Sequence, residues 1–361
     1  MNIIFATWLY DRSLGKSLTK LQERDRLVSY YFLQDQGILD WHLEKYIFTG
    51  RFDPTKKDKV YTRKSMNQES KVDLFLDSGA FSAKSLGKEI NIDDYIDFIK
   101  RNEQFISIYA NLDVIGDATA TWENQKIMEA EGLTPLPVFH FGEDEKKLLP
   151  MLIEKYDYIG FGGMVKSGTL NVYLDRIFKR HVCDSQGIPK VKIHGFGMTN
   201  FSHIMRYPWY SVDSTSWVLT SRMGSIFVPQ WKDGKYCHLL RPWKVAVSNM
   251  SPTQSGKGKH LSTYTKPQQD AVNSYLHEKG FVIGHSEFRK EKPTYKLKEG
   301  EKWAQKKEKG METREVEKII EPGLSNTYRL RDELNIIYFQ DLEQALPAWP
   351  WAFKTGKDGF I

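Results

Sequence analysis

Residues 74–99 read LFLDSGAFSAKSLGKEINIDDYIDFI. A short apolar run ends on Asp77, a Ser-Gly turn follows, and Asn91 stands where a helix cap belongs. Beyond it Ile92, Tyr95, Ile96 and Ile99 recur at the spacing of one helical face. A buried strand, a turn and an amphipathic helix make one β/α unit. Outward from it, further short apolar runs at 3–7, 106–112, 136–139, 158–161, 191–193 and 210–212 read as buried strands. Helical stripes lie between them. One runs from Thr121 to about Glu131 and stops at Gly132, and another carries Leu170, Tyr173, Leu174, Ile177 and Phe178. Thr199 is placed to cap a short helix that ends before Pro208.

Strands alternating with helices call for a parallel sheet, and the number of repeats predicts an α/β fold of the (β/α)8 TIM-like barrel type over residues 1–285. A doubly wound sheet gives the same alternation, but it commonly carries a glycine-rich phosphate loop after its first strand, and none follows 3–7. Residues 51–71 are polar and basic and read as an inserted loop. From 286 to about 318 the chain is dense in Lys and Glu and reads as solvated helix, flexible insertion, or both. Residues 286–361 are thus expected to be a charged segment followed by a C-terminal element, rich in Trp349, Trp351 and Phe353, that packs on the barrel.

The chain has 361 residues, 40% of them hydrophobic and 13% aromatic, enough to bury a sizeable core. A mean hydropathy of −0.52 and the lack of a long apolar run argue against a membrane protein. The start, Met1-Asn2-Ile3-Ile4-Phe5, has the pattern of a strand rather than a secretion signal, so a cytoplasmic location is expected. Cys183 and Cys237 are too few and too far apart for a disulfide framework or a cysteine zinc site, and neither a metal nor a cofactor is expected. The net charge of +6 suits a polyanionic partner without requiring one.

Catalytic groups of a barrel stand at the C-terminal ends of its strands. Those positions here read Asp77-Ser78-Gly79-Ala80-Phe81, Asn111-Leu112-Asp113, His140-Phe141-Gly142-Glu143-Asp144, Gly162-Gly163-Met164, His194-Gly195-Phe196-Gly197 and Asp213-Ser214-Thr215. Each has a plain structural reading: Asp77 can cap a turn, Asp113 the next helix, and paired glycines permit tight loops. Together they leave several acidic groups ending apolar strands, which must be solvated, paired or used. Two carboxylates on separate strand ends suit cleavage of a glycosidic bond, one as nucleophile and one as proton donor.

The segments Leu76-Asp77-Ser78-Gly79-Ala80-Phe81, Phe161-Gly162-Gly163-Met164, Gly195-Phe196-Gly197 and Val212-Asp213-Ser214-Thr215 resemble, in order and spacing, the motifs of guanine transglycosylases. The resemblance implies base exchange, in which guanine leaves the sugar of a polynucleotide and a 7-deazaguanine replaces it. It implies that Asp213 is the nucleophile and Asp77 the general acid and base. Asp113 would accept from the amidine edge of the purine, and Gly162 and Gly163 would bring backbone against the base, beside Ser78 and Met164. Phe81 and His194 would sandwich the ring. His140 stands where the family carries glutamine, and His-Phe-Gly replaces its Gln-Gly-Gly. The tRNA-modifying members carry a Cys-Cys-Cys-His zinc site that this chain cannot build, so it is closer in character to the DpdA-like bacteriophage and bacterial enzymes that act on DNA. DNA is therefore the expected polymer, with tRNA or a non-catalytic nucleic-acid-binding barrel as alternatives. Arg222, Lys257 and Lys259, with Lys56, Lys57 and Arg63 of the basic loop, are the expected backbone grip.

Overall fold

The computed structural model describes residues 1–6, 26–33, 74–103, 106–164, 170–198, 200–251, 258–304, 308 and 310–354. The basic loop 51–71 with Lys56, Lys57 and Arg63, and also Thr199 and Lys257, lie outside them. The chain forms two compact units, residues 1–215 with 343–361, and residues 216–342.

Among its described residues the first unit is α/β, with one sheet of eight strands: β1 (Asn2–Ala6), β2 (Arg26–Ser29), β3 (Leu74–Asp77), β4 (Ile106–Tyr109), β5 (Val138–His140), β6 (Tyr158–Gly162), β7 (Lys192–Gly195) and β8 (Ser211–Ser214). Their order is β4-β3-β2-β1-β8-β7-β6-β5, and every pairing is parallel. A parallel bridge joins Ala110, just past β4, to Leu136, just before β5. There Asn111 N donates to Leu136 O at 2.9 Å and Leu136 N to Tyr109 O at 2.8 Å. Because all eight strands run the same way, all their C-terminal ends lie on one side of the sheet. That side receives the candidate site.

Helices alternate with these strands: α1 (Tyr30–Leu33), α2 (Ala80–Ser85), α3 (Ile92–Asn102), α4 (Ala118–Ala130), α5 (Leu148–Lys155), α6 (Leu170–Ile177), running on into a π turn over Phe178–Val182, and α7 (Phe201–Arg206). Asn91 caps α3, its side chain accepting from Asp93 N and Asp94 N at 2.8 and 3.1 Å. The stripe Tyr95, Ile96 and Ile99 is buried as its spacing requires. At α7 the cap is Asn200, which accepts from Ser202 N. The C-terminal aromatics return to this unit, where Phe353 packs on Phe178 and Tyr207, and Trp349 Nε1 donates to Pro208 O.

The second unit holds α8 (Ser216–Arg222), β9 (Ser225–Val228) paired antiparallel with β12 (Trp243–Ala246), the hairpin β10 (Gln230–Lys232) and β11 (Lys235–Cys237), and α9 (Lys266–Glu278). Next come β13 (His285–Glu291), β14 (Glu301–Trp303), β15 (Arg314–Glu321) and α10 (Tyr328–Ala345), which crosses into the first unit. The Lys- and Glu-rich stretch is thus an antiparallel sheet in the order β13-β15-β14, not solvated helix. Most of its Lys and Glu side chains are exposed, but two charges are folded inward. Glu317 is fully buried, accepting from Ser286 Oγ at 2.7 Å with Lys302 Nζ at 3.2 Å, and the Arg314 guanidinium lies 4.1 Å over the Trp303 ring. The division falls at 215 rather than at the expected 285 because one core joins Ile226, Val245 and Leu276 to Leu324 and Leu334. Asn335, fully buried, ties that unit across the sequence: its side chain accepts from Phe227 N at 2.8 Å and donates to Trp217 O at 3.0 Å. Asn335→Ala strands both backbone groups, and a urea melt should register a loss of about 2–3 kcal/mol; a loss below about 0.5 kcal/mol contradicts the tie.

Candidate functional site

Three carboxylates rise from three places on the C-terminal side of the sheet: Asp77 ends β3, Asp113 follows β4, and Asp213 lies in β8. Asp77 accepts from Gly79 N at 3.2 Å, the first bond of a tight turn in which Gly79 takes φ +77°. A Cβ at Gly79 would stand 2.3 Å from Ser29 Oγ, so glycine alone lets the turn pass under β2. Asp213 accepts from Gly197 N at 2.6 Å, and its Oδ1 lies 3.5 Å from His194 Nε2. His194 is in turn fixed at Nδ1 by Ser211 Oγ at 2.7 Å, and Ser211 by Tyr158 Oη at 2.6 Å.

Burial, then the charges of Asp113 and Asp213, push the Asp77 carboxyl from 3.8 up to about 7, and the Gly79 N–H only partly offsets them. With two other acids near it and little solvent to screen them, Asp77 keeps its proton into the neutral range. The buried phenol Tyr95, whose Oη donates to Ala110 O, is raised by burial first and then by Asp77 and Asp113.

Beside Asp113 stands a second arrangement. His140 ends β5, with Nε2 3.2 Å from Asp113 Oδ2 and Nδ1 3.2 Å from Glu143 Oε1, while its backbone N donates to Glu143 Oε2 at 2.9 Å. Burial pulls the imidazole down, but the hydrogen bonds and charges of Asp113 and Glu143 outweigh it and lift it to about 10. An imidazolium is therefore held between two carboxylates. Gly162 pairs with His140 across β6 and β5, and a Cβ there would lie 2.9 Å from His140 Cδ2. The ring fills the space that this glycine leaves. Asp113 Oδ1 and Asn111 Oδ1 are buried with no hydrogen-bond partner among the described residues. A cleft of about 560 Å³ opens beside Asp113, against Ala80, Ala83 and Lys84 of α2, and another of about 490 Å³ beside Glu143, against Tyr173 and Arg176.

Asp77, Asp113, Asp213, His140, Gly162 and Gly163 thus stand at strand ends on one side of the sheet. Ser78 and Met164 are buried there, Gly163 has φ +70°, and Phe81 on α2 is 72% exposed. His194 is placed differently from the expected ring sandwich. Its ring has no exposed face, lying 4.7 Å from Phe75 and 4.4 Å from Phe196, and so is not free to stack on a substrate. Arg222 and Lys259 are exposed residues of the second unit. Glu143, Ser211 and Tyr158 carry no role in the motifs; a His followed three residues later by Glu was the one sequence signal for the first of them. No protein-family model matches the chain, and neither does any curated protein or any solved structure.

For Asp77 the folded chain binds a proton between about pH 4 and 7 that the unfolded chain has released, so stability declines as pH rises through that window. Asp77→Asn removes the decline. Its melting temperature should exceed that of the unaltered protein by roughly 5 °C at pH 8 and by little at pH 4; an offset equal at both pH values would refute the buried-acid geometry.

Proposed function

We propose that this chain exchanges bases on DNA, removing guanine and inserting a 7-deazaguanine through a covalent link between Asp213 and the sugar. The observation that carries the reading is that Asp77 stands at a strand end with Asp113 and Asp213 near enough to act on it, its carboxyl brought to about 7 by burial and then by those two charges. An acid that must first give a proton and then take one back works best when it titrates near the operating pH. In the first half, an Asp213 oxygen attacks C1′ as the bond to guanine N9 breaks, and Asp77 delivers its proton to the departing base. In the second, Asp77 takes the proton from the arriving 7-deazaguanine, whose nitrogen attacks C1′ and releases the Asp213 carboxylate. Two inversions give retention.

The Gly197 N–H supports the nucleophile's role by holding an Asp213 oxygen, with the His194 ring packed near it. Asp113 supports base recognition, since its buried Oδ1 has no hydrogen-bond partner among the described residues. We also take the sheet to close as an eight-stranded barrel, a reading supported by the Ala110–Leu136 bridge between its two outer strands. The choice of DNA rests on the resemblance and on two cysteines, 183 and 237, that cannot form the zinc site of tRNA-modifying members. Work on cellular or phage DNA would place the enzyme in the cytoplasm. Exposed Arg222 and Lys259 suit the phosphate grip that pulling a base from a duplex needs.

Incubation with radiolabelled guanine and either duplex DNA or tRNA tests both reaction and polymer. The label should enter DNA, and Asp213→Asn should cut incorporation by about a thousandfold or more while leaving polymer binding intact. Asp77→Ala should slow it by roughly 10²–10⁴-fold. Label entering neither polymer, or entering undiminished with Asp213→Asn, would exclude the mechanism.

A further inference from the structure

Glu143 spends both of its carboxylate oxygens on one residue. Oε2 accepts from the His140 backbone N at 2.9 Å and Oε1 faces Nδ1 at 3.2 Å, while the far side of the same ring reaches Asp113 Oδ2 at 3.2 Å. All three side chains are largely sequestered, at 12%, 16% and 14% exposed for Glu143, His140 and Asp113. A ring that faces acceptors at both nitrogens satisfies both only as the imidazolium, the form with two donors. Across the strand pair Gly162 gives the ring its room, because a Cβ there would press on Cδ2 and Nε2 at 2.9 and 3.2 Å. The ring is tethered at Nδ1, at Nε2 and through its own backbone, so the Asp113 carboxylate it holds has one orientation. Oδ2 is taken, and Oδ1 is buried with no partner among the described residues.

We infer that Glu143 is a positioning residue for base selection: acting through His140, it fixes Asp113 so that one carboxylate oxygen is offered to a purine edge carrying adjacent N–H and amino donors. The inference rests on the base-exchange reading and adds to it the device that sets specificity. Guanine and 7-deazaguanines present that edge; adenine offers a ring acceptor there and hypoxanthine lacks the amino group. Among the described residues, the charged groups that face His140 are Asp113 from the loop after β4 and Glu143 from its own loop, and β6 presents Gly162. The charge of Asp113 in turn helps to raise the Asp77 carboxyl. The ring's upward shift to about 10, produced by those two carboxylates against the pull of burial, agrees with the imidazolium the geometry requires.

The test is calorimetric binding of guanine and hypoxanthine to the whole polymer-free protein between pH 6 and 9, for the unaltered chain and for Glu143→Gln. With one carboxylate partner left, His140 loses its proton at lower pH. The ratio of unaltered to variant guanine affinity should then widen by about tenfold from pH 6 to pH 9, and preference for guanine over hypoxanthine should shrink by about tenfold. Asp77 titrates in both proteins and cancels from the ratio. A ratio constant with pH, with preference retained, makes Glu143 merely structural and overturns the inference while base exchange stands. Unaltered protein that binds no guanine at any pH overturns the base-exchange reading itself, and the inference with it. Should Glu143→Gln unfold, imidazole nitrogen NMR of the unaltered protein decides. His140 should be charged at pH 8 with shifts that move when guanine is added; a neutral ring there overturns the inference.

Discussion

The arrangement depends on one constraint, that a carboxyl group is buried beside two others. In water three aspartates repel weakly; in a dry site the same charges act strongly, because little solvent screens them. Asp77 answers by holding its proton to about pH 7. Much of the surrounding structure is the means of keeping that group in place. Gly79 in its left-handed turn sets the carboxyl at the end of β3, and Gly197 N holds the Asp213 carboxylate that acts on it.

The remaining acid is managed by the opposite route. Asp113 is paired with a cation, and that cation is itself supported by Glu143. A proton on Asp77 and a positive charge on His140 are two solutions to the same crowding, and they assign different work. The first gives a group that can lose and regain a proton, and the second gives a carboxylate that stays fixed. On the proposed reading, titratable groups pushed apart by their surroundings would let one site divide acid-base chemistry from recognition.

The positions of Asp77, Asp113, His140 and Asp213 were legible in the sequence because each closes an apolar run, and a run's end is where a buried strand meets solvent. His194 was misread for a related reason. The run 191–193 suggests that the strand stops at Ile193, but β7 continues to Gly195, and His194 is a strand residue facing inward. β2 left no sign, since Arg26-Leu27-Val28-Ser29 has only two apolar residues, and its place between β1 and β3 comes from pairing on both sides. The sheet β13-β15-β14 was hidden by its charges. Composition marks Lys and Glu as solvated, whereas Glu317 and Arg314 are buried against partners distant in sequence or in ring stacking. Local pattern carries the charge of these residues but not their pairing.

That three carboxylates from β3, the loop after β4 and β8 share one electrostatic site can be tested directly by following the side-chain carboxyl carbon of Asp77 by NMR through a pH titration. A midpoint near 7 that falls when Asp213→Asn removes one neighbouring charge is the predicted result. A midpoint near the ordinary 3.8, unmoved by that substitution, would mean that the three groups do not share a site.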